Sequence, residues 1–178
     1  MPGRVLLLDP PHRIFGALRM WTPSPGLMSL AAYLEDKGIA VDILDVTTLD
    51  RPWTDLKACL DKGQYDIVGV TCSAATFHFD ALNTVRFVRK VLPRSTIVGG
   101  GGHFSLNAEA ILNALPELDY LVIGEGEETF LELIRWLEKN GHTQACPVAG
   151  LMYRKKGEIQ ATPPRHLIED LDVLPFPA

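Results

Sequence analysis

The stretch Tyr65–Gly99, YDIVGVTCSAATFHFDALNTVRFVRKVLPRSTIVG, decides the fold. Tyr65 to Thr71 is a short, almost continuously apolar run, the pattern of a strand buried on both faces. Phe79 to Leu92 has helical spacing, with Leu82, Val85, Phe87 and Val88 at the apolar positions, and Pro93 stops it. Ser95 to Gly99 is a second strand. Working outward, the same alternation recurs. Arg4 to Asp9 (RVLLLD) and Ile39 to Asp45 (IAVDILD) read as strands on the amino-terminal side. Between them lies a helix over Leu27 to Lys37, with Leu27, Leu30, Ala31 and Leu34 on one face and Gly38 closing it. Trp53 to Leu60 reads as a short helix. On the carboxyl side come a helix over Asn107 to Leu115, a strand over Asp119 to Ile123, and an amphipathic helix over Thr129 to Lys139. Five strands alternating with helices imply an α/β fold with a parallel sheet covered on both faces. The doubly wound, flavodoxin-like (Rossmann-like) strand order is the expected arrangement.

The pattern changes after Gly141. Val148 to Arg154 and Glu158 to Ala161 flank Lys155-Lys156-Gly157, a hairpin turn. A proline-rich tail follows from Pro163 to Ala178. The expected organisation is an α/β domain over residues 1–141 and a hairpin appendage with linker over 142–178. The 178 residues carry 47% hydrophobic and 22% charged side chains, which excludes disorder, collagen and coiled coil for the whole chain. The 17 basic residues against 22 acidic ones give a net charge of −5, against a nucleic-acid partner. Cys59, Cys72 and Cys146 are far apart and form no CxxC pair, so neither a zinc ribbon nor an iron–sulfur site is expected within this chain. A disulfide framework is not expected either, which favours a cytoplasmic location. The apolar run Val5 to Leu8 is too short for a signal peptide or membrane span.

In an open parallel sheet, ligands bind beyond the carboxyl ends of the strands. Four loops there stand out. Asp9-Pro10-Pro11-His12 opens a loop longer than such connections usually are. Thr71-Cys72-Ser73-Ala74-Ala75-Thr76-Phe77 is small and hydroxyl-rich, suited either to hydrogen-bonding a ligand or to capping the following helix. Gly99-Gly100-Gly101-Gly102-His103 lets another group approach the backbone closely, but it satisfies neither the P-loop nor the GxGxxG pattern. An extended organic ligand along the strand ends fits it better than a phosphate. Gly124-Glu125-Gly126-Glu127-Glu128-Thr129 places acids at a helix start, where the dipole favours them. Nothing near those carboxylates resembles a nucleophile. Cys72, His78 and His103 match no common zinc spacing.

Taken in order, PPH, PGLMSLAAYLEDKG, YDIVGVTCSAATF, VGGGGHFS and DYLVIGEGEETFLEL resemble the N-terminal cobalamin (vitamin B12)-binding domain of cobalamin-dependent radical SAM enzymes. The tail LIEDLDVLPFPA is similar to the connector into their radical SAM barrel. The barrel's three-cysteine motif does not occur here, so the chain reads as an isolated domain or a piece of a longer one. The resemblance implies a flavodoxin-like fold holding cobalamin with its dimethylbenzimidazole tail detached from cobalt. It implies that Gly99 to Gly102 and Gly124 to Gly126 line the tail channel. Thr71, Ser73 and Thr76 would hydrogen-bond the tail or the corrin amides, and Asp9 to His12 would lie near the lower face of the cobalt. Ala74, Phe77, His103, Glu125, Glu127 and Thr129 complete the expected contact set. S-adenosylmethionine and an iron–sulfur cluster belong to the domain that would follow.

A related group of cobalamin domains carries DxHxxG after the first strand, its histidine ligating cobalt and oriented by the aspartate. Here Asp9, His12 and Gly16 occur at the wrong spacing with prolines between. The expectation is therefore cobalamin without a histidine ligand and no protein metal site, presented to the substrate of a methyltransferase, although ring-forming members exist. Two alternatives remain at this point. One is a flavodoxin-like module for a flavin, a nucleotide or another ligand, or for another protein. The other is a self-contained enzyme, for which no activated nucleophile is visible. A receiver-type signalling domain would need an aspartate after the third strand, where Thr71 stands.

Overall fold

A computed structural model describes residues 3–11, 24–49, 51–142 and 145–178. In chain order the elements are β1 (Val5–Asp9), α1 (Pro25–Asp36), β2 (Val41–Asp45), α2 (Pro52–Gly63), β3 (Ile67–Thr71), α3 (His78–Val91) and β4 (Thr96–Gly100). They continue with α4 (Gly102–Leu106), α5 (Ala108–Ala114), β5 (Tyr120–Val122), α6 (Glu127–Asn140), β6 (Leu151–Lys155) and β7 (Glu158–Ala161). The strands form one sheet in the order β2-β1-β3-β4-β5-β6-β7. β1 to β5 are parallel, and β6 and β7 add antiparallel. The 2-1-3-4-5 order of the parallel part is the flavodoxin-like one, with its switch point between β1 and β3.

The period-2 alternation of a strand explains the two cores. Leu6, Leu8, Val68, Val70, Ile97 and Leu121 point to one face, where α2, α3 and α5 cover them with Leu56, Leu60, Val85, Val88 and Leu112. Val5, Leu7, Ile67, Val98, Tyr120 and Val122 point to the other, under α1 and α6 with Leu27, Leu34, Phe130 and Ile134. Crossovers of one hand that run first one way and then the other from β1 put α1 opposite α2 and α3. Pro25 and Pro52 stand in the first turns of α1 and α2, where a missing N–H costs nothing.

Two elements go beyond the sequence reading. The glycine run feeds directly into the short helix α4, which low propensity at Gly102 conceals. The hairpin does pack on the sheet: Tyr120 of β5 pairs with Tyr153 of β6, and Leu151 and Tyr153 continue the buried face. Lys156 and Gly157 make its two-residue turn with φ of 50° and 88°, the mirror-image geometry that hairpins favour.

The two ends of the sheet differ in chemistry. At the amino end Arg89 donates to the carbonyls of Ser95 (2.8 Å) and Glu117 (3.0 Å) and to the Asp119 carboxylate (2.6 Å). There too Arg4 donates to Asp42 and to the Gly63 carbonyl, and the Tyr65 hydroxyl donates to Asp42. Burial, then the Asp42 carboxylate, pushes the Tyr65 phenol up to about 12. These charges tie strand starts to helix ends. The carboxyl end carries glycines and small hydroxyl residues, together with Asp9, Glu125 and Glu127. Among the described residues, no helix is long and apolar enough to cross a membrane.

Candidate cofactor-binding site

A cavity of about 270 Å³ opens at the carboxyl end of the sheet and runs down between β1, β3, β4 and β5 and the helices α1 and α6. It lies on the face that carries Leu7, Val98 and Val122, so the strand positions facing it are fixed by register. Thr71 pairs with Gly100, and Gly69 with Val98. Gly100 leaves this face open to the cavity, whereas a Cβ on Gly69 would stand 2.9 Å from Leu7 and 3.6 Å from Phe130, so Gly69 lets those two side chains close the cavity floor. Leu27 and Leu30 of α1 and Phe130 of α6 form the opposite wall. The mouth is ringed by Thr71, Gly124, Glu125, Gly126 and Glu127. Ser29 of α1 donates to Glu127 across it at 3.1 Å.

The four glycines do different things. A Cβ on Gly99 would stand 2.9 Å from Phe104 and 3.2 Å from Leu118, so this glycine lets α4 pack against β4. Gly101 has φ +95°, and its Cβ would stand 2.8 Å from the Cys72 carbonyl oxygen. Gly102 lies against the Ser73 carbonyl at 3.3 Å and does not line the cavity. Only Gly100 of the four meets nothing within 4 Å.

The remaining expected residues separate into groups. Asp9 and Pro11 are buried at the end of β1, and the Pro10 carbonyl accepts from the Thr47 hydroxyl. His12 lies outside the described residues. Ser73 and Thr76 are exposed on the loop after β3, where Ala74 accepts from the Phe77 amide. Phe77 packs onto the α3 side of the core. Burial, helped by the Asp9 carboxylate, pushes the Cys72 thiol up to about 12, which makes it a poor nucleophile. Thr129 is fully buried and turned from the cavity, accepting from Arg165 at 2.8 Å.

His103 is also directed elsewhere. The Cys72 carbonyl accepts from the His103 amide, which brings the imidazole within 3.0 Å of His78, Nε2 to Nδ1. Burial, then the neighbouring imidazole, lowers the pKa of His78. The Asn107 amide lies at 3.4 Å from His103 Nδ1. If Asn107 donates there, His103 donates to His78, and both rings are neutral. No cluster of three or more His, Cys, Asp or Glu suited to a metal occurs among the described residues.

Sequence reasoning concentrated on loops and missed the walls: Leu7, Leu27, Leu30, Gly69 and Phe130. The signal for Gly69 was present, since a lone glycine inside a buried strand marks a close approach.

Comparison with known proteins supplies the family. The B12 binding domain model matches residues 14–134. An uncharacterized methyltransferase of Pyrococcus horikoshii is 30% identical over 98% of this chain and 38% of its own length. The anaerobic magnesium-protoporphyrin IX monomethyl ester cyclase of Synechocystis sp. is 34% identical over 96% of this chain and 34% of its own. The chain thus spans little more than a third of these relatives. Among solved structures, the cobalamin-dependent S-adenosylmethionine radical enzyme OxsB with aqua-cobalamin and S-adenosylmethionine superposes with a TM-score of 0.76 at 22% identity, over 98% of this chain and 24% of that one. That likeness supports the fold, and the family model covers β3, β4, β5, α1 and the start of α6 around the cavity, while β1 lies before the matched residues. The chain belongs to the B12-binding domain family.

Proposed function

We propose that this chain binds cobalamin with its nucleotide tail in the cavity between the sheet and α1 and α6, and with no histidine on cobalt. The observation that carries the reading is the glycine gap at Gly100, where a Cβ would meet nothing within 4 Å on the face of β4 that borders the apolar cavity. A side chain there would project into the cavity, whereas at Gly69 a Cβ would stand 2.9 Å from Leu7, so that glycine lets Leu7 and Phe130 form the apolar floor, and the space is open at the strand ends. The residues fit the group. A flat aromatic base takes apolar walls, here Leu7, Leu27, Leu30 and Phe130, and neutral hydrogen bonders at the mouth, here Thr71 and the backbone of Gly124 to Gly126. Asp9, Pro10 and Pro11, with Ser73, Ala74, Thr76 and Phe77, form the rim toward the corrin.

The described histidines do not face the cavity. His78 and His103 engage each other, His142 meets Thr96 Oγ1 at 3.0 Å at the amino end, and His166 is exposed on the tail. When bound, cobalamin supplies a cobalt centre that carries a methyl group. The chain's part is to hold the tail, shield it from water and leave the corrin facing outward. We assign residues 1–141 to the cofactor module, with 142–178 leading toward a radical SAM domain of methyltransferase type that binds S-adenosylmethionine and an iron–sulfur cluster. The OxsB structure, which holds aqua-cobalamin and S-adenosylmethionine, and the methyltransferase relative support that assignment. The cyclase relative favours ring-forming chemistry as the second reading.

The test is a titration of the 178-residue chain with hydroxocobalamin, followed by ultraviolet–visible spectroscopy and repeated with His12→Ala. A saturable base-off spectrum unaltered by the substitution is expected. A histidine-ligated spectrum that shifts in the variant would place His12 on cobalt. No saturation in a folded chain would overturn the cobalamin reading.

A further inference from the structure

The tail after β7 does not leave the domain directly. It is tied to α6, then to Glu125 at the cavity mouth, then to α1. The Gly150 amide donates to the Pro163 carbonyl at 2.8 Å. Arg165 then reaches into the first turns of α6 with only 16% of its side chain exposed. Its Nε donates to Thr129 Oγ1, one terminal nitrogen to Glu128 at 2.9 Å, and the other to Glu132. Three residues on, the Ile168 amide donates to the Glu125 carboxylate at 2.7 Å. Farther along, the Ala178 amide donates to the Met28 carbonyl in the first turn of α1 at 3.2 Å. Gly150 is shaped for this crossing: a Cβ there would stand 3.0 Å from Thr129 Oγ1 and 3.3 Å from Arg165 Cβ.

The chemistry of these ties is that of a fastening. Glu128 and Glu132 sit one turn apart on α6 and repel each other. The planar Arg165 fork answers both carboxylates at once, which a lysine cannot do with the same geometry. Glu125 stands at the cavity mouth, yet its carboxylate is held from the tail side. So the residue that rims the cavity is oriented by residue 168 of the linker, and the linker bridges both helices whose separation sets the width of the mouth.

We propose that residues 163–178 are a strap that holds α6 and α1 together over the cavity, with Arg165 as its positioning residue, and that the strap sets how fast a bound cofactor leaves. The proposal rests on the cavity being the cobalamin site. Opening the strap widens the mouth; closing it keeps Glu125 and the first turn of α6 against the bound tail.

The experiment uses the 178-residue chain loaded with hydroxocobalamin, with dissociation followed by absorbance after rapid dilution. Arg165→Ala is compared with Arg165→Lys and with Ile168→Pro, which removes the donor to Glu125 and leaves the arginine in place. Ile168→Pro loses one charge-assisted hydrogen bond and should speed dissociation roughly tenfold, and Arg165→Ala, which loses three hydrogen bonds, should speed it at least as much. Arg165→Lys should fall between, and the association rate should change less than the dissociation rate. In hydrogen exchange, cofactor should protect the amides of 165–170 in the wild type and not in Arg165→Ala. A role in folding alone would lower the melting temperature of the cofactor-free chain and leave the dissociation rate of folded protein unchanged. Wild-type dissociation rates in Arg165→Ala and Ile168→Pro would overturn the strap and leave the cobalamin reading standing. Failure of the wild type to bind hydroxocobalamin would overturn both.

Discussion

Gly100→Val separates folding from binding at a single atom position. A Cβ at Gly100 points from β4 into the cavity and meets nothing within 4 Å, and Gly100 is not among the positive-φ residues. The backbone therefore accepts a side chain without strain. Glycine inside a strand is about 0.5–1 kcal/mol less favourable than alanine, so the folded chain should gain a similar amount. At about 2–4 °C per kcal/mol for a domain of this size, the melting temperature should rise by roughly 1–4 °C. The same side chain occupies space assigned to the nucleotide tail. Forcing extra methyl groups into a filled site costs about 1–3 kcal/mol, which is roughly a 5- to 150-fold loss of cobalamin affinity. Gly99→Val is the internal control one residue away. Its Cβ points to the opposite face and would stand 2.9 Å from Phe104, so it should lower the melting temperature. The assay pairs thermal unfolding by circular dichroism with absorbance titration of hydroxocobalamin. Wild-type affinity in a folded Gly100→Val chain would refute the placement of the ligand.

Arg89→Ala should destabilise the chain by about 1.5–3 kcal/mol, because carbonyls and the Asp119 carboxylate lose a charged donor. Its cobalamin affinity should stay unchanged, since Arg89 is at the far end of the sheet; thermal melts and titrations check both. The Cys72 thiol, pushed up to about 12 by burial, should resist iodoacetamide at pH 8 until the chain is unfolded, as mass spectrometry of the alkylated peptides would show. His78 predicts a pH dependence. Its folded pKa lies below its ordinary value of 6.5, so the unfolded chain binds the proton more readily. Stability should be complete above pH 6.5 and decline as the pH falls from there toward the folded value. Melts of His78→Gln should show a shallower slope in that window, and an identical slope would remove His78 as the cause.

The alternation of β1 to β5 with helices is legible because a parallel sheet buried on both faces writes each strand as an apolar run. The turn at Lys156-Gly157 is legible for its glycine. The pairing of β6 with β5 is not, because it depends on Tyr120 and Tyr153 meeting across more than thirty intervening residues. The cavity is half legible. The rule for open sheets points to strand ends and finds Thr71, Gly100 and Gly124 to Glu127. The cavity, however, continues down into the layer between sheet and helices, where Leu7, Leu30 and Phe130 read as ordinary core. The glycine run illustrates the limit most sharply: Gly99 and Gly100 look identical in sequence, yet the pleat turns one toward Phe104 and the other toward the cavity. The direction of Glu125 is set by Ile168, 43 residues later, and that of Thr129 by Arg165, 36 residues later, and no local pattern carries it.

The most direct test of the central claim compares cobalamin with cobinamide, which keeps the corrin and lacks the nucleotide tail. Both would be titrated into the same folded chain. If the cavity between β3, β4, α1 and α6 holds the tail, cobalamin should bind far more tightly than cobinamide, and Gly100→Val should bring the two close together. Equal affinities in the wild-type chain would contradict the account.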